Sequence, residues 1–163
     1  MRRLLPNELA FLDRYFGQAL DCEPIRLGAT PGRRSWSPWG ARIGLSRRHF
    51  VDRSSRCEVA LADPVSAAVF AHEALHVWQR QHGRAVTRQG AYLQTLYILR
   101  LHDPYAYDAS VRDARSLEAL FACGSIEQQG RIFQDYVFAD LTGRDTGKFD
   151  RVARWVREAR LVA

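Results

Sequence analysis

The chain has almost no lysine. Of its 24 basic residues only Lys148 is not an arginine, so the formal net charge of +6 is carried by guanidinium groups. These are scattered along the sequence rather than gathered on one helical face with interleaved aromatics, and no nucleic-acid partner is therefore expected. Cysteine is scarce too. Cys22, Cys57 and Cys123 are an odd number with no C-x-x-C spacing, which argues against both a disulfide framework and a thiolate zinc finger and leaves reduced thiols as the default. No apolar run is long enough to cross a bilayer, so no membrane span is expected. The opening MRRLLPNELAFLDRYFG begins with two arginines, but Pro6, Asn7, Glu8 and Asp13 interrupt the apolar stretch that a secretory signal requires. The expected location is the cytoplasm, with any export by a route that needs no signal peptide. Repeats, linkers and low-complexity tracts are also missing. What is present is a packed composition: 47% hydrophobic residues with four Trp, six Tyr and eight Phe in 163 residues. That is enough for one domain with a real core and too little for two, so residues 1–163 read as a single domain.

The stretch from Asp63 to Gly83, DPVSAAVFAHEALHVWQRQHG, is the best punctuated in the chain. Asp63 is a natural N-cap, Pro64 suits the first helical position where no amide hydrogen is needed, and Gly83 sits where a left-handed residue closes a helix. A helix over about 64–82 follows. It carries His72-Glu73-Ala74-Leu75-His76. Residues four apart lie one turn apart on the same face, so both imidazoles can reach one Zn2+ ion while Glu73 points at a water in the remaining position. This is the H-E-x-x-H pattern of zinc peptidases.

The remaining segments describe an α+β domain, mostly helical, with a small sheet before the metal helix. Leu9, Leu12, Phe16 and Leu20 recur at helical spacing after Pro6. Short strands are expected around Ile25–Leu27, Ala41–Leu45 and His49–Val51. Between them GATPGRRSWSPWG, residues 28–40, reads as an irregular loop. Its Trp36 and Trp39 either pin the loop to the body or form a substrate rim. An edge strand beside the metal offers a place for an extended peptide to pair. Helices follow over about 88–101, 109–123, 126–141 and 149–162, the third of these opened by the capping box Ser125-Ile126-Glu127-Gln128.

Two histidines leave a catalytic zinc one protein ligand short. Glu127 is the best candidate for the third, 51 residues after His76 in a polar helix start, because a downstream helical glutamate completes the His₂Glu zinc peptidase site. His82, His102 and Glu118 are rivals. His82 lies six residues past His76, so it faces away from the other imidazoles and suits a helix-end role. With zinc in place, Glu73 is positioned to take a proton from water as that water attacks a carbonyl. Tyr105, Tyr107 and His102 in HDPYAYD are the polar groups to test as donors to the oxyanion that forms.

AHEALHVWQRQHG (71–83) and SIEQQGRIFQDYVFADLTG (125–143), with the opening LPNELAFLDRYFGQALDCEPIRL (5–27), resemble the small bacterial Vgr-related proteins. These are similar in their H-E-x-x-H helix to the zincin-like domains of Rhs and other polymorphic-toxin contexts. The resemblance covers roughly residues 3–142, and its specific parts are HE-x-x-HVWQ and EQQ. It implies a zincin-like fold, His72, His76 and Glu127 as zinc ligands, Glu73 as the catalytic glutamate, and a link to type VI secretion with a Vgr or Rhs partner. Two functions are thereby in play. One is a zinc metallopeptidase acting on a peptide or protein substrate. The other is a zincin-like binding or adaptor module of a secretion system without peptidase activity.

Overall fold

A computed structural model describes residues 1–37, 39–54, 57–99, 103–108 and 110–161. Its elements are α1 (Pro6–Phe16), β1 (Arg26–Thr30), β2 (Arg42–Ser46), α2 (Pro64–Gln81), α3 (Val86–Ile98), α4 (Ala114–Cys123), α5 (Ile126–Leu141) and α6 (Asp150–Glu158), with short 3-10 turns between several of them. The domain is mostly helical with one small sheet, as expected for its α+β class.

Helix α2 is the axis. Asp63 caps it, its carboxylate accepting from the Ser66 amide at 3.0 Å and the Ser66 hydroxyl at 2.6 Å. Pro64 takes the first helical position, and Gly83 closes the end with φ of 78°, a conformation that costs a side-chain-bearing residue energy. Nearly every residue from Ser66 to Gln79 is buried, because α5 packs along one side, β2 along another, and α6 meets its far end, where the Trp78 indole donates to the Val156 carbonyl at 3.1 Å. The core around it is aromatic: Phe16 and Phe133 meet at 4.9 Å between ring centroids, and Phe11 stacks on Phe70 at 5.7 Å. Buried Glu8 ties the N-terminal segment to the loop before α2. Its carboxylate accepts from Arg2, from the Leu5 amide at 2.8 Å and from the Val59 amide at 2.9 Å.

The sheet has two strands, β1 and β2, paired in parallel from Arg26↔Arg42 to Thr30↔Ser46. Both outer edges are covered by the chain itself. Arg2 exchanges backbone hydrogen bonds with Leu27 on one side, and Trp36 does so with Gly44 on the other, at 2.8 and 2.9 Å. Ser35 Oγ accepts from the Ser46 amide, and Ser37 Oγ donates to the Arg42 carbonyl. The expected free edge beside the site is thus occupied by residues 35–37, which a loop dense in serine can do because its hydroxyls replace missing backbone partners.

Other expectations shift in detail. The third strand is absent among the described residues: 47–49 and 51–53 form 3-10 turns, with only an isolated bridge between Phe50 and Val59. Residues 110–113 turn, and Asp113 caps α4 through the Ser116 amide at 2.8 Å, so that helix starts later than its apolar pattern suggested. Helix α6 is shorter at both ends than expected. Leu101, His102, Ala109 and Val162 lie outside the described residues.

Candidate metal centre

Helix α2 places His72, Glu73 and His76 on its buried length, and the first turn of α5 brings Glu127 against them. The Nε2 atoms of His72 and His76 each lie 3.4 Å from the same Glu127 oxygen, Oε2, and one ligand atom from each of the three residues falls within 4.8 Å of the others. These separations are long for a charge-assisted hydrogen bond, about 2.7–2.9 Å. They match the edge of a tetrahedron whose ligands sit about 2.0–2.1 Å from its centre, which is about 3.4 Å. All three side chains are buried. The donor set, two imidazole nitrogens and a carboxylate oxygen, therefore fits a zinc ion in chemistry, and its two histidine–glutamate edges have the tetrahedral length.

The orientation of His76 follows from a chain of hydrogen bonds. Gln129 Nε2 donates to the Phe121 carbonyl at 2.6 Å, so its Oε1 must accept, which it does from Gln79 Nε2 at 2.8 Å. Gln79 Nε2 also donates to the Ile126 carbonyl at 3.2 Å. Gln79 Oε1 is thereby left to accept from His76 Nδ1, 2.8 Å away. The proton belongs on Nδ1, and the Nε2 lone pair faces Glu127. His72 is positioned by contact instead. Gly130, one turn after Glu127, lies so close that a Cβ there would stand 2.6 Å from His72 Cε1 and 2.7 Å from Nε2. His72 Nδ1 is buried with no hydrogen-bond partner among the described residues.

The two carboxylates are driven apart electrostatically. Burial lifts the Glu73 carboxyl above its usual range; the two imidazoles oppose this and Glu127 reinforces it. Burial acts in the same sense on Glu127, but the contacts and charges of the two imidazoles outweigh it and hold its carboxyl far below the usual range. On His76 burial disfavours the charged ring, yet Glu127 and Glu73 outweigh burial and raise its pKa. The two neighbouring carboxyls are thus shifted in opposite directions, Glu127 downward and Glu73 upward. Glu73 Oε2 is buried and unpartnered among the described residues.

The cluster opens into a cleft of about 1120 Å³, lined in part by loop residues 30–37 and 39. Trp36 and Trp39 line it, edge to face at 6.3 Å, and stay 49% and 55% exposed, while the Trp36 indole also leans on Gly44 and the Trp39 ring takes the Arg42 guanidinium at 5.8 Å. Arg80 of α2 adds to this hold, donating to the Ser37 hydroxyl, the Ser37 carbonyl and the Gly40 carbonyl. Of the tyrosines expected near the chemistry, Tyr105 lines the cleft with its ring 6.3 Å from that of His72. Tyr107 is held elsewhere, its hydroxyl donating to Asp135 at 2.7 Å. His82 caps α2, stacked on Trp78 and bonded to its carbonyl, and Glu118 pairs with Arg151; neither joins the cluster. Sequence reasoning passed over Gln79, Gln129 and Gly130. Gln79 sits three residues after His76 on the same face, and a glycine inside a helix costs about 1 kcal/mol relative to alanine, which is itself a signal of a packing demand.

No protein-family model matches the chain. The type VI secretion system spike protein VgrG2b of Pseudomonas aeruginosa is 31% identical over 140 residues, which cover 83% of this chain and 13% of that protein. Among solved structures, the effector domain of Pseudomonas aeruginosa VgrG2b is 28% identical with a TM-score of 0.68, over 96% of this chain and 82% of that one. The chain thus spans a small fraction of the length of the spike protein and most of the effector domain. The relation is to a Vgr-related type VI secretion protein. Among the described residues no helix is long and apolar enough to cross a membrane.

Proposed function

We propose that this relative of a type VI secretion effector domain is a zinc-dependent metallopeptidase on a zincin-like scaffold, working as or with a secreted effector. One observation carries the reading: two imidazole nitrogens each lie 3.4 Å from one glutamate oxygen, the edge length of a tetrahedral zinc site, beside a second glutamate with a buried oxygen unpartnered among the described residues, in an open cleft. His72, His76 and Glu127 would hold the ion. When bound, zinc supplies Lewis acidity toward a water and toward the substrate carbonyl.

The chain's own groups do the rest. Glu73 accepts a proton from the attacking water at its free oxygen, and its raised pKa brings it closer to the range where it can pass that proton on to the leaving amine. Tyr105 is the described polar group of the HDPYAYD segment that reaches the cleft, and we assign it the donor role toward the developing oxyanion. The Trp36–Trp39 rim offers apolar area to substrate side chains. An adaptor without turnover has no use for a buried carboxylate left unpaired next to a cation site, since burying it costs free energy.

The test is elemental and kinetic. Purified protein should carry about one zinc per chain, lost in His76→Ala, and metal-free protein under zinc-replete conditions would refute the reading. Glu73→Gln should retain zinc and lose cleavage of a peptide library. Cleavage that survives Glu73→Gln would assign the activity to another group.

A further inference from the structure

Among the described residues, the cleft outside the metal cluster carries charge of one sign. Arg33, Arg34 and Arg48 line it, and its acidic lining residues are Glu73 and Glu127, both consumed by the centre just described. Arg48 is built into place. It is exposed, yet its Nε donates to His49 Nε2 at 3.1 Å. His49 is 3% exposed and also lines the cleft. Because its Nε2 accepts, its Nδ1 carries the proton and donates to Ser66 Oγ at 2.9 Å, and that hydroxyl donates to Asp63 at 2.6 Å. Asp63 is the N-cap of α2. A continuous line of hydrogen bonds therefore runs from the start of the metal helix, through two buried side chains, to one surface guanidinium.

A surface arginine gains little from such an anchor unless its position matters, because fixing a long side chain costs rotamer entropy. The anchor uses Nε, and among the described residues no carboxylate pairs with Arg48. The two Nη nitrogens are left as a planar fork, the geometry that matches a carboxylate with two parallel hydrogen bonds. The neighbouring arginines add a field that draws anions in, and the exposed tryptophans add apolar contact.

We infer that Arg48 is a specificity-determining residue that binds a carboxylate of the substrate, so that the cleft takes acidic peptides. The inference rests on the peptidase reading for its substrate class, and its test separates the two. Matched peptides differing only by Glu or Gln at one position, and by a free or amidated C-terminus, are compared as substrates of the zinc-loaded wild type and of Arg48→Gln. The wild type should favour the acidic member by about tenfold or more in KM, as expected for a charge-assisted pair, with similar kcat. Arg48→Gln should erase that ratio, Arg48→Glu should reverse it, and added salt should weaken it. Independently of turnover, the same fluorescent peptides are bound to Glu73→Gln and followed by anisotropy. If nothing is cleaved, the peptidase reading fails, and anisotropy alone decides this one: tighter binding of the acidic member upholds it. Equal binding of acidic and neutral members, a preference unchanged in Arg48→Gln, or tighter binding of an oligonucleotide of matched charge would overturn it.

Discussion

Replacing Gly130 by alanine should pull two properties in opposite directions. In an ordinary helix interior the change is favourable by about 1 kcal/mol, because alanine loses less backbone entropy than glycine. Here the new Cβ would stand 2.6 Å from His72 Cε1, and ordinary contact begins at 3.4 Å, so the ring must retreat by about 0.8 Å or the helices must part. Parting α2 and α5 would strain a well-packed seam, for which overpacking costs run about 1–3 kcal/mol. Moving the ring is easier, since His72 Nδ1 has no hydrogen bond to break among the described residues. Metal–ligand distances tolerate only about 0.2 Å, so a ring displaced four times as far no longer serves as a full ligand. We expect zinc affinity to fall by about 100-fold, about 2.7 kcal/mol, while the metal-free protein unfolds within about 1 kcal/mol of wild type. Competition against a chromophoric chelator gives the first quantity and urea unfolding in EDTA gives the second. Unchanged zinc affinity in Gly130→Ala would refute the close approach and with it the placement of His72.

Three further outcomes follow from the same geometry. Gln79→Ala removes the acceptor that orients His76 and strands Gln129, so zinc affinity should drop about 10-fold or more and stability by about 1–3 kcal/mol, measured by chelator competition and urea titration; an unaffected variant would mean the glutamine relay is idle. The raised pKa of His76 gives the metal-free protein stability that is full below the unfolded value of 6.5 and lost as pH rises through the folded one. The depressed pKa of Glu127 gives stability present above 4.5 and lost on acidification. Their joint contribution is therefore largest between those values, whereas the rise in Tm produced by zinc, which must displace the proton on His76, should grow with pH; a zinc increment equal at about pH 5.5 and about pH 7.5 would contradict this. Phe133→Ala empties a fully buried position against Phe16 and should cost about 3–5 kcal/mol in chemical denaturation; a cost under about 1 kcal/mol would show that the seam between α1 and α5 is not part of the cooperative core.

The metal helix was legible because everything that defines it is local. Asp63, Pro64 and Gly83 satisfy or spare backbone groups within one turn of themselves, and the four-residue spacing of His72 and His76 needs only helical geometry to share a face. Capping chemistry made the start of α5 legible in the same way, and with it the place of Glu127 in that helix's first turn. The strand expected at His49–Val51 failed for the complementary reason. The three residues favour extension, but the neighbouring chain pairs with them only through the two bonds that flank Phe50, Ala60 amide to His49 carbonyl at 2.9 Å and Val51 amide to Glu58 carbonyl at 3.0 Å, while 3-10 turns at 47–49 and 51–53 curl the chain on either side.

What the sequence determined by itself was a candidate ligand pair, an adjacent candidate base and a short set of candidates for a third ligand. Only the fold brings Glu127, and not Glu118 or His82, against His72 and His76, because that depends on how α5 lies against α2, a packing of buried faces with no signature in linear spacing. Folding also decided what holds the ligands still: Gln79 and Gln129 become a relay, Gly130 becomes a stop for His72, and His49 becomes a support for Arg48, only once helices and turns far apart in the chain are pressed together. Local hydrogen bonds are written in neighbouring residues, whereas contact across a core is settled by the shapes of surfaces that meet only in three dimensions.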